Sequence, residues 1–172
     1  MDAYFLCSTS KELEELALRL GYKRALFVDV HFVYSEVSCL KDAQKLVTHA
    51  HALGVPSVAR ITADCMREVV EKSKLSVVVG LEGMPVHDSL HQVRGGLDQV
   101  TTPLLCSRGV AVMFSFVDFL FDGSPRLLGR AKFNLELCSK YKVDTVITCL
   151  CTSKYDLRSV KDVEAFFRVV GK

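Results

Sequence analysis

"DTVITCLCTSKYDLRSVKDVEAFFRVVG", residues 144 to 171, holds one complete unit of the fold. "DTVITCL" reads as a buried strand, with Val146, Ile147, Cys149 and Leu150 its apolar positions on both faces. A helix opens near Ser159, with Asp162 in its first turn, where a negative charge suits the helix dipole. Its body, "EAFFRVVG", is hydrophobic and closes on a glycine. Between strand and helix lie Lys154, Arg158 and Lys161, with Asp156 and Asp162 set among them. The junction reads in two ways, as an ordinary strand-to-helix connection or as a place where an anion binds.

The same unit recurs outward along the chain. "AYFLC", "RALFVDV", "PSVARI", "LSVVVGLE" and "VAVMFSF" read as strands. "STSKELEELALRLGY", "KDAQKLVTHAHALG", "ADCMREVVEKSK", "LDQVTTPLLCSRG" and "SPRLLGRAKFNLELCSKYK" read as helices. Thr9 and Glu12 have capping-box spacing, and Ser124 with Pro125 makes a cap and first turn. Pro103 makes the helix around it start late or kink. A short helix is expected around Asp88 to Gln92, before a tight "RGG" turn. Roughly seven β–α units with apolar strands imply α/β architecture, a parallel sheet covered by helices. A closed barrel and an open doubly wound sheet both fit. A full eight-unit barrel takes about 250 residues, so a barrel here is compact and abbreviated. No GxGxxG opens a helix after the first strand and no Walker loop is present, which weakens nucleotide-binding versions of the open sheet.

At 172 residues, 49% hydrophobic and 24% charged, the chain reads as one globular domain spanning 1–172. Seven cysteines without a CxxC pair argue against a disulfide framework or zinc ribbon and for reduced, intracellular thiols. The start carries no basic n-region, and the longest apolar stretch, "GVAVMFSFVDFLF", is too short to span a bilayer and holds Asp118, so a soluble protein is expected. The net charge of +2 is unevenly spread. Residues 123–172 carry ten Lys/Arg and five Asp/Glu, a net of +5, against twelve and fifteen, a net of −3, before them. A basic third attracts polyanions such as RNA; its bland reading is a solvated helix face.

Candidate chemistry is sparse. His49 and His51 sit two apart in a helix and point in different directions. His87 and His91 have zincin-like spacing, but Asp88 stands where the catalytic Glu belongs. Cys149 and Cys151 share one face and read as core packing. Asp29, His31 and Glu82 lie near strand ends and would be the groups of a metal-dependent phosphoesterase-like hydrolase, the alternative reading. A protein-only interaction module is a third.

From Gly95 to the end the sequence resembles the C-terminal half of the ribonuclease P protein component 3 family, archaeal relatives of the thirty-kilodalton eukaryotic subunit. A strand, a loop and a long basic helix lead to "KYKV", a strand, and a Y-D-hydrophobic-R-x-x-x-D element. Tyr155, Asp156, Leu157, Arg158 and Asp162 occupy that element, with Lys161 where the family often has Arg. "GLDQV", Gly96 to Val100, is similar to the family's "GIDHV", with Gln99 in place of the usual His. The loop after Phe121 is shorter than is common. Before Gly95 the likeness is limited to element order and spacing.

The resemblance implies a compact TIM-like barrel, related in shape to metal-dependent phosphoesterases but without their metal-binding histidines. It implies a non-catalytic subunit that binds a component 2-type protein and supports the catalytic RNA in removing the 5′ leader of precursor tRNA. No cofactor on the protein is implied, and Mg2+ is expected for the RNA. Location would be cytoplasmic in an archaeon and nucleolar in a eukaryote. Arg126, Arg130, Lys132, Lys154, Arg158 and Lys161 are then the residues expected to neutralise RNA phosphates, on two helix starts sharing one face. The rival reading of Arg158 is an internal pair with Asp156 or Asp162.

Overall fold

Eight strands and seven helices follow one another in the computed structural model, which describes all residues except 63–64, 86–87, 89–92, 94 and 172. The strands are β1 (Ala3–Phe5), β2 (Ala25–Phe27), β3 (Val33–Val37), β4 (Ser57–Ile61), β5 (Val77–Val79), β6 (Ala111–Ser115), β7 (Thr145–Thr148) and β8 (Leu150–Cys151). The helices are α1 (Lys11–Arg19), α2 (Leu40–Leu53), α3 (Met66–Lys72), α4 (Thr101–Arg108), α5 (Phe116–Phe121), α6 (Pro125–Tyr141) and α7 (Val160–Val170). A 3₁₀ turn covers Leu81–Gly83 and another Lys154–Asp156.

All paired strands are parallel, in two sheets of order β2-β1-β8 and β3-β4-β5-β6-β7. Cys149 separates β7 from β8, so one nearly continuous strand pairs with β6 in its first half and with β1 in its second. Between β2 and β3 the described residues form only the isolated bridge Val28↔Phe32, and no closed ring of strands results.

Side chains alternate across each strand, and most strands are covered on both faces. One face packs on the helices: Phe5, Ala59, Ile61, Val78, Val112 and Phe114 join Ala17, Leu46, Val69, Leu105, Ala131 and Phe167. The other face builds a second core of Phe32, Val58, Val79, Met113 and Leu150, with Tyr4, Leu6, Leu26 and Val28 against it. Both sheets contribute to this inner core, and the Tyr4 and Phe32 rings meet edge-on at 5.2 Å. Burial on both sides is why the strands read as unbroken apolar runs.

Most helix ends follow the sequence reading. The Ser124 hydroxyl accepts from Leu127 N at 3.3 Å with Pro125 in the first turn, and the Ser159 hydroxyl accepts from Asp162 N at 3.2 Å. Helix α4 does start late, at Thr101, because the Asp98 carboxylate captures Val100 N (2.9 Å) and Thr101 N (2.6 Å) ahead of it.

Other expectations are corrected. Ser10, not Thr9, caps α1, and it makes no side-chain cap bond, so the Thr9–Glu12 box does not form. No helix separates β2 from β3. Asp29 turns the chain at φ 59°, with its N–H on Phe32 O (2.7 Å) and His31 N–H on Phe27 O (2.9 Å). The extra strand β3 therefore breaks the simple β–α alternation there. Helix α5 also follows β6 directly, where only a loop was expected. The helix expected around Asp88 to Gln92 lies mostly outside the described residues.

Candidate nucleic-acid interface

In a parallel β/α layout, the helices that follow strands start at the strands' C-terminal ends. Helices α6 and α7 therefore begin at the same end of the sheets, and they pack on each other. Six basic residues were expected to meet there as a phosphate-binding group. The structure sorts them into surface cations and braces.

Arg126 is exposed on the first turn of α6, with Nε 3.5 Å from Asp88 Oδ2. Arg130, one turn on, is 1% exposed. Its Nε and Nη2 donate to the Asp88 carboxylate at 3.1–3.2 Å, and its Nη1 donates to Glu82 O (3.2 Å) and Met84 O (2.9 Å). A guanidinium so enclosed has no face to offer a phosphate. Arg130 is a brace between α6 and the 3₁₀ turn after β5, which corrects the expectation of a surface ligand. Lys132 is exposed, but it is two residues past Arg130 on the helix and points to a different side.

At the other junction Asp156 is the anchor. It is buried, and its Oδ2 accepts from Thr152 N (2.9 Å), Thr152 Oγ1 (2.8 Å) and Ser153 N (2.9 Å). Burial works to raise its pKa, but these hydrogen bonds favour the charged form more, and the net shift is downward. Arg158 pairs with neither Asp156 nor Asp162. It folds onto its own loop, with Nη1 on Tyr155 O (2.7 Å) and Leu157 O (3.0 Å). Its carbonyl accepts from the Tyr22 hydroxyl at 2.9 Å, and Val160 N–H bonds Leu20 O at 3.0 Å, tying the start of α7 to the end of α1. Lys154 reaches back to α1 as well, with Nζ 3.1 Å from Glu12 Oε1. Lys154, Tyr155 and Lys161 stay exposed.

Beneath this junction Cys149 and Cys151 are fully buried, as their spacing suggested. Hydrogen bonds from Cys151 and then Tyr22 outweigh burial and lower the Cys149 thiol to about 7, while Cys151 is pushed up.

A second polar group lies at the strand ends, which sequence reading missed. Arg60 on β4 alternates with Val58 and so faces the inner core. Its Nε donates to Tyr34 OH (3.0 Å), and its Nη2 grips both Asp118 oxygens (2.9 and 3.1 Å). Gly80 makes room: at φ 73° it has no side chain, and a Cβ there would strike the Arg60 guanidinium. The signal was present in "SVARI", an arginine inside an apolar strand. Glu82, next along, is 1% exposed.

The hydrolase groups are not brought together. Asp29 and His31 are exposed in the β2–β3 turn, where His31 Nδ1 accepts from Phe27 N at 3.2 Å, while Glu82 is buried beyond β5. Among the described residues no three His, Cys, Asp or Glu side chains converge as a metal site, and no helix is long and apolar enough to cross a membrane. His49 and His51 are exposed along α2; His87 and His91 lie outside the described residues.

The class defined so far is a parallel β/α protein with a mixed surface of exposed cations and buried arginine braces at one end. No protein-family model matches the chain. Ribonuclease P protein component 3 of Methanosarcina mazei is 39% identical to it over 79 residues, 44% of this chain and 33% of that protein. A chain in the cryo-EM structure of archaeal Ribonuclease P with mature tRNA shares the fold, with TM-score 0.61 at 17% identity, covering 99% of this chain and 82% of that one. The matched segment spans a third of the curated relative's length.

Proposed function

We propose that this chain is a protein subunit of ribonuclease P that supports the catalytic RNA in removing the 5′ leader of precursor tRNA, without performing the chemistry itself. The sequence match to component 3 over 79 residues carries the reading. The Tyr155–Asp162 element adds to it, since Asp156 and Arg158 each bond groups of their own junction while Lys154, Tyr155 and Lys161 face outward.

The two sheets are read as arcs of one abbreviated TIM-like barrel. Support comes from the inner core that both sheets share and from the strand that passes from β7 to β8 between them. On this scaffold Arg126, Lys132, Lys154 and Lys161 would neutralise RNA phosphates, releasing counterions and making binding salt-dependent. Arg130 and Arg158 would hold the surface in shape. The protein partner would be a component 2-type subunit, and the Mg2+ would serve the RNA.

Reconstitution tests this. The protein is combined with a component 2-type partner and the cognate RNA at low magnesium, and precursor-tRNA cleavage is followed. Stimulation by the wild type, reduced by Lys154→Ala with Lys161→Ala in a variant of unchanged melting temperature, is expected. No stimulation with any such RNA, together with phosphoester hydrolysis by the protein alone that is lost on His31→Ala, would overturn it in favour of the hydrolase.

A further inference from the structure

Under the start of α6 lies a buried carboxyl group. Glu82 is 1% exposed, and among the described residues neither Oε1 nor Oε2 has a hydrogen-bond partner. The described groups on the elements around it do not supply one. Arg60, on β4, gives Nε to Tyr34 and Nη2 to Asp118. Asp118, on α5, is a like charge. Arg130, on α6, reaches the Glu82 carbonyl rather than its carboxylate and otherwise grips Asp88. Cys138, also on α6, is a thiol pushed up to about 12 by burial and then by Glu82 itself. An ionised carboxylate without hydrogen bonds is strongly disfavoured in such a place, and keeping the proton avoids that cost.

Beside Glu82 is a cavity of about 310 Å³ whose walls include Asp122, Ser124, Arg126 and Arg130, one acidic and two basic groups. We propose that Glu82 is a proton-operated latch between the strand ends and α6. Protonated, it stays dry beneath the 3₁₀ turn. Deprotonated, it draws water in from the cavity side and loosens the hold of Leu81–Gly83 on the helix. The latch acts on the wall that carries Arg126, so it would also govern the order of that surface. It stands on the protein alone and does not require the ribonuclease P reading.

The sign follows from the proton count. Burial holds Glu82 near 7 in the folded chain against 4.5 for the free group, so the folded state binds the extra proton between those values. Stability is therefore highest at the acid side of that window and falls as pH rises through it, then levels off.

The test is chemical unfolding of the whole chain from pH 5 to 8.5, wild type beside Glu82→Gln. The wild-type folding equilibrium constant is expected to fall by up to about tenfold per pH unit below pH 7, and the glutamine variant to lose that slope. Amide exchange in the wild type gives a second measurement, independent of how the variant folds. After correction for intrinsic chemistry, the Gly83 and Met84 amides, which bond Gly80 O and Leu81 O, should open more readily at pH 8 than at pH 6. A wild-type stability flat across the window, an unchanged slope in Glu82→Gln, or pH-independent opening of those two amides would each overturn the latch.

Discussion

Helices α6 and α7 leave the strand ends with related chemistry, a serine cap flanked by basic residues, which follow the cap in α6 and lie mostly before it in α7, and they spend that charge differently. At α6 the second arginine turns inward and is enclosed by Asp88 and two carbonyls. At α7 the arginine before the cap folds onto carbonyls of its own loop, and the lysines on either side remain in solvent. Basic density in a sequence is therefore not surface charge. What decides is whether a carboxylate or a row of carbonyls waits beneath the helix.

The largest effect that could break this comparison is at Arg130. Arg130→Ala leaves Asp88 without its enclosed partner and two carbonyls without a donor. Asp88 is exposed and can turn to water, so the loss lies mainly in the two buried carbonyls left without this donor, about 2–4 kcal/mol in total, measurable by urea unfolding. Arg126→Ala, four residues earlier and exposed, should cost no more than about 1 kcal/mol. Equal losses from the two would erase the distinction between brace and surface cation.

Asp156 comes next. Asp156→Ala orphans Thr152 and Ser153 N–H groups and should destabilise by about 1–3 kcal/mol. Its pKa is depressed in the fold, so its contribution is present above the unfolded value of 3.8 and is lost as pH falls through the lower folded value. Acid unfolding of the wild type should show that late loss, and Asp156→Asn should lack it.

The caps should match more closely. Ser124→Ala and Ser159→Ala remove the same cap bond, Ser159 losing in addition its donation to Asp162 Oδ2 (2.7 Å), and each should cost about 1 kcal/mol by thermal or urea unfolding. Smallest in stability are Lys154→Ala and Lys161→Ala, whose urea midpoints should stay close to that of the wild type. If the RNA reading holds, each should still lower the salt slope of RNA binding by about one unit.

Much of this was legible in the sequence. Strands covered on both faces announce themselves as apolar runs, and serine before an amphipathic run marks a helix start. The inward turn of Arg130 was legible too, though the charge reading hid it. Leu127, Ala131, Asn134, Leu137 and Cys138 are the buried stripe of α6, and Arg130 falls on it. Its partner was not legible, because Asp88 lies 42 residues upstream. The β2–β3 turn was hidden for another reason. It rests on a left-handed Asp29, a residue type that tolerates that conformation without requiring it. Glu82 was noticed at a strand end, but only packing reveals that no donor among the described residues reaches it.

The strand that passes from one sheet to the other has a consequence in time. Tyr4 pairs with Leu150 and Phe5 with Cys151, so β1 waits for a strand far downstream in the chain. During synthesis β1 can dock on β2 early, but its other edge stays open until residues beyond 150 have emerged. Such a long-range closure is slow relative to local pairing and leaves an unpaired apolar edge in the meantime. The five-stranded sheet, built from neighbours in the chain, can form as it is made, and the joining of the two sheets through β8 comes last.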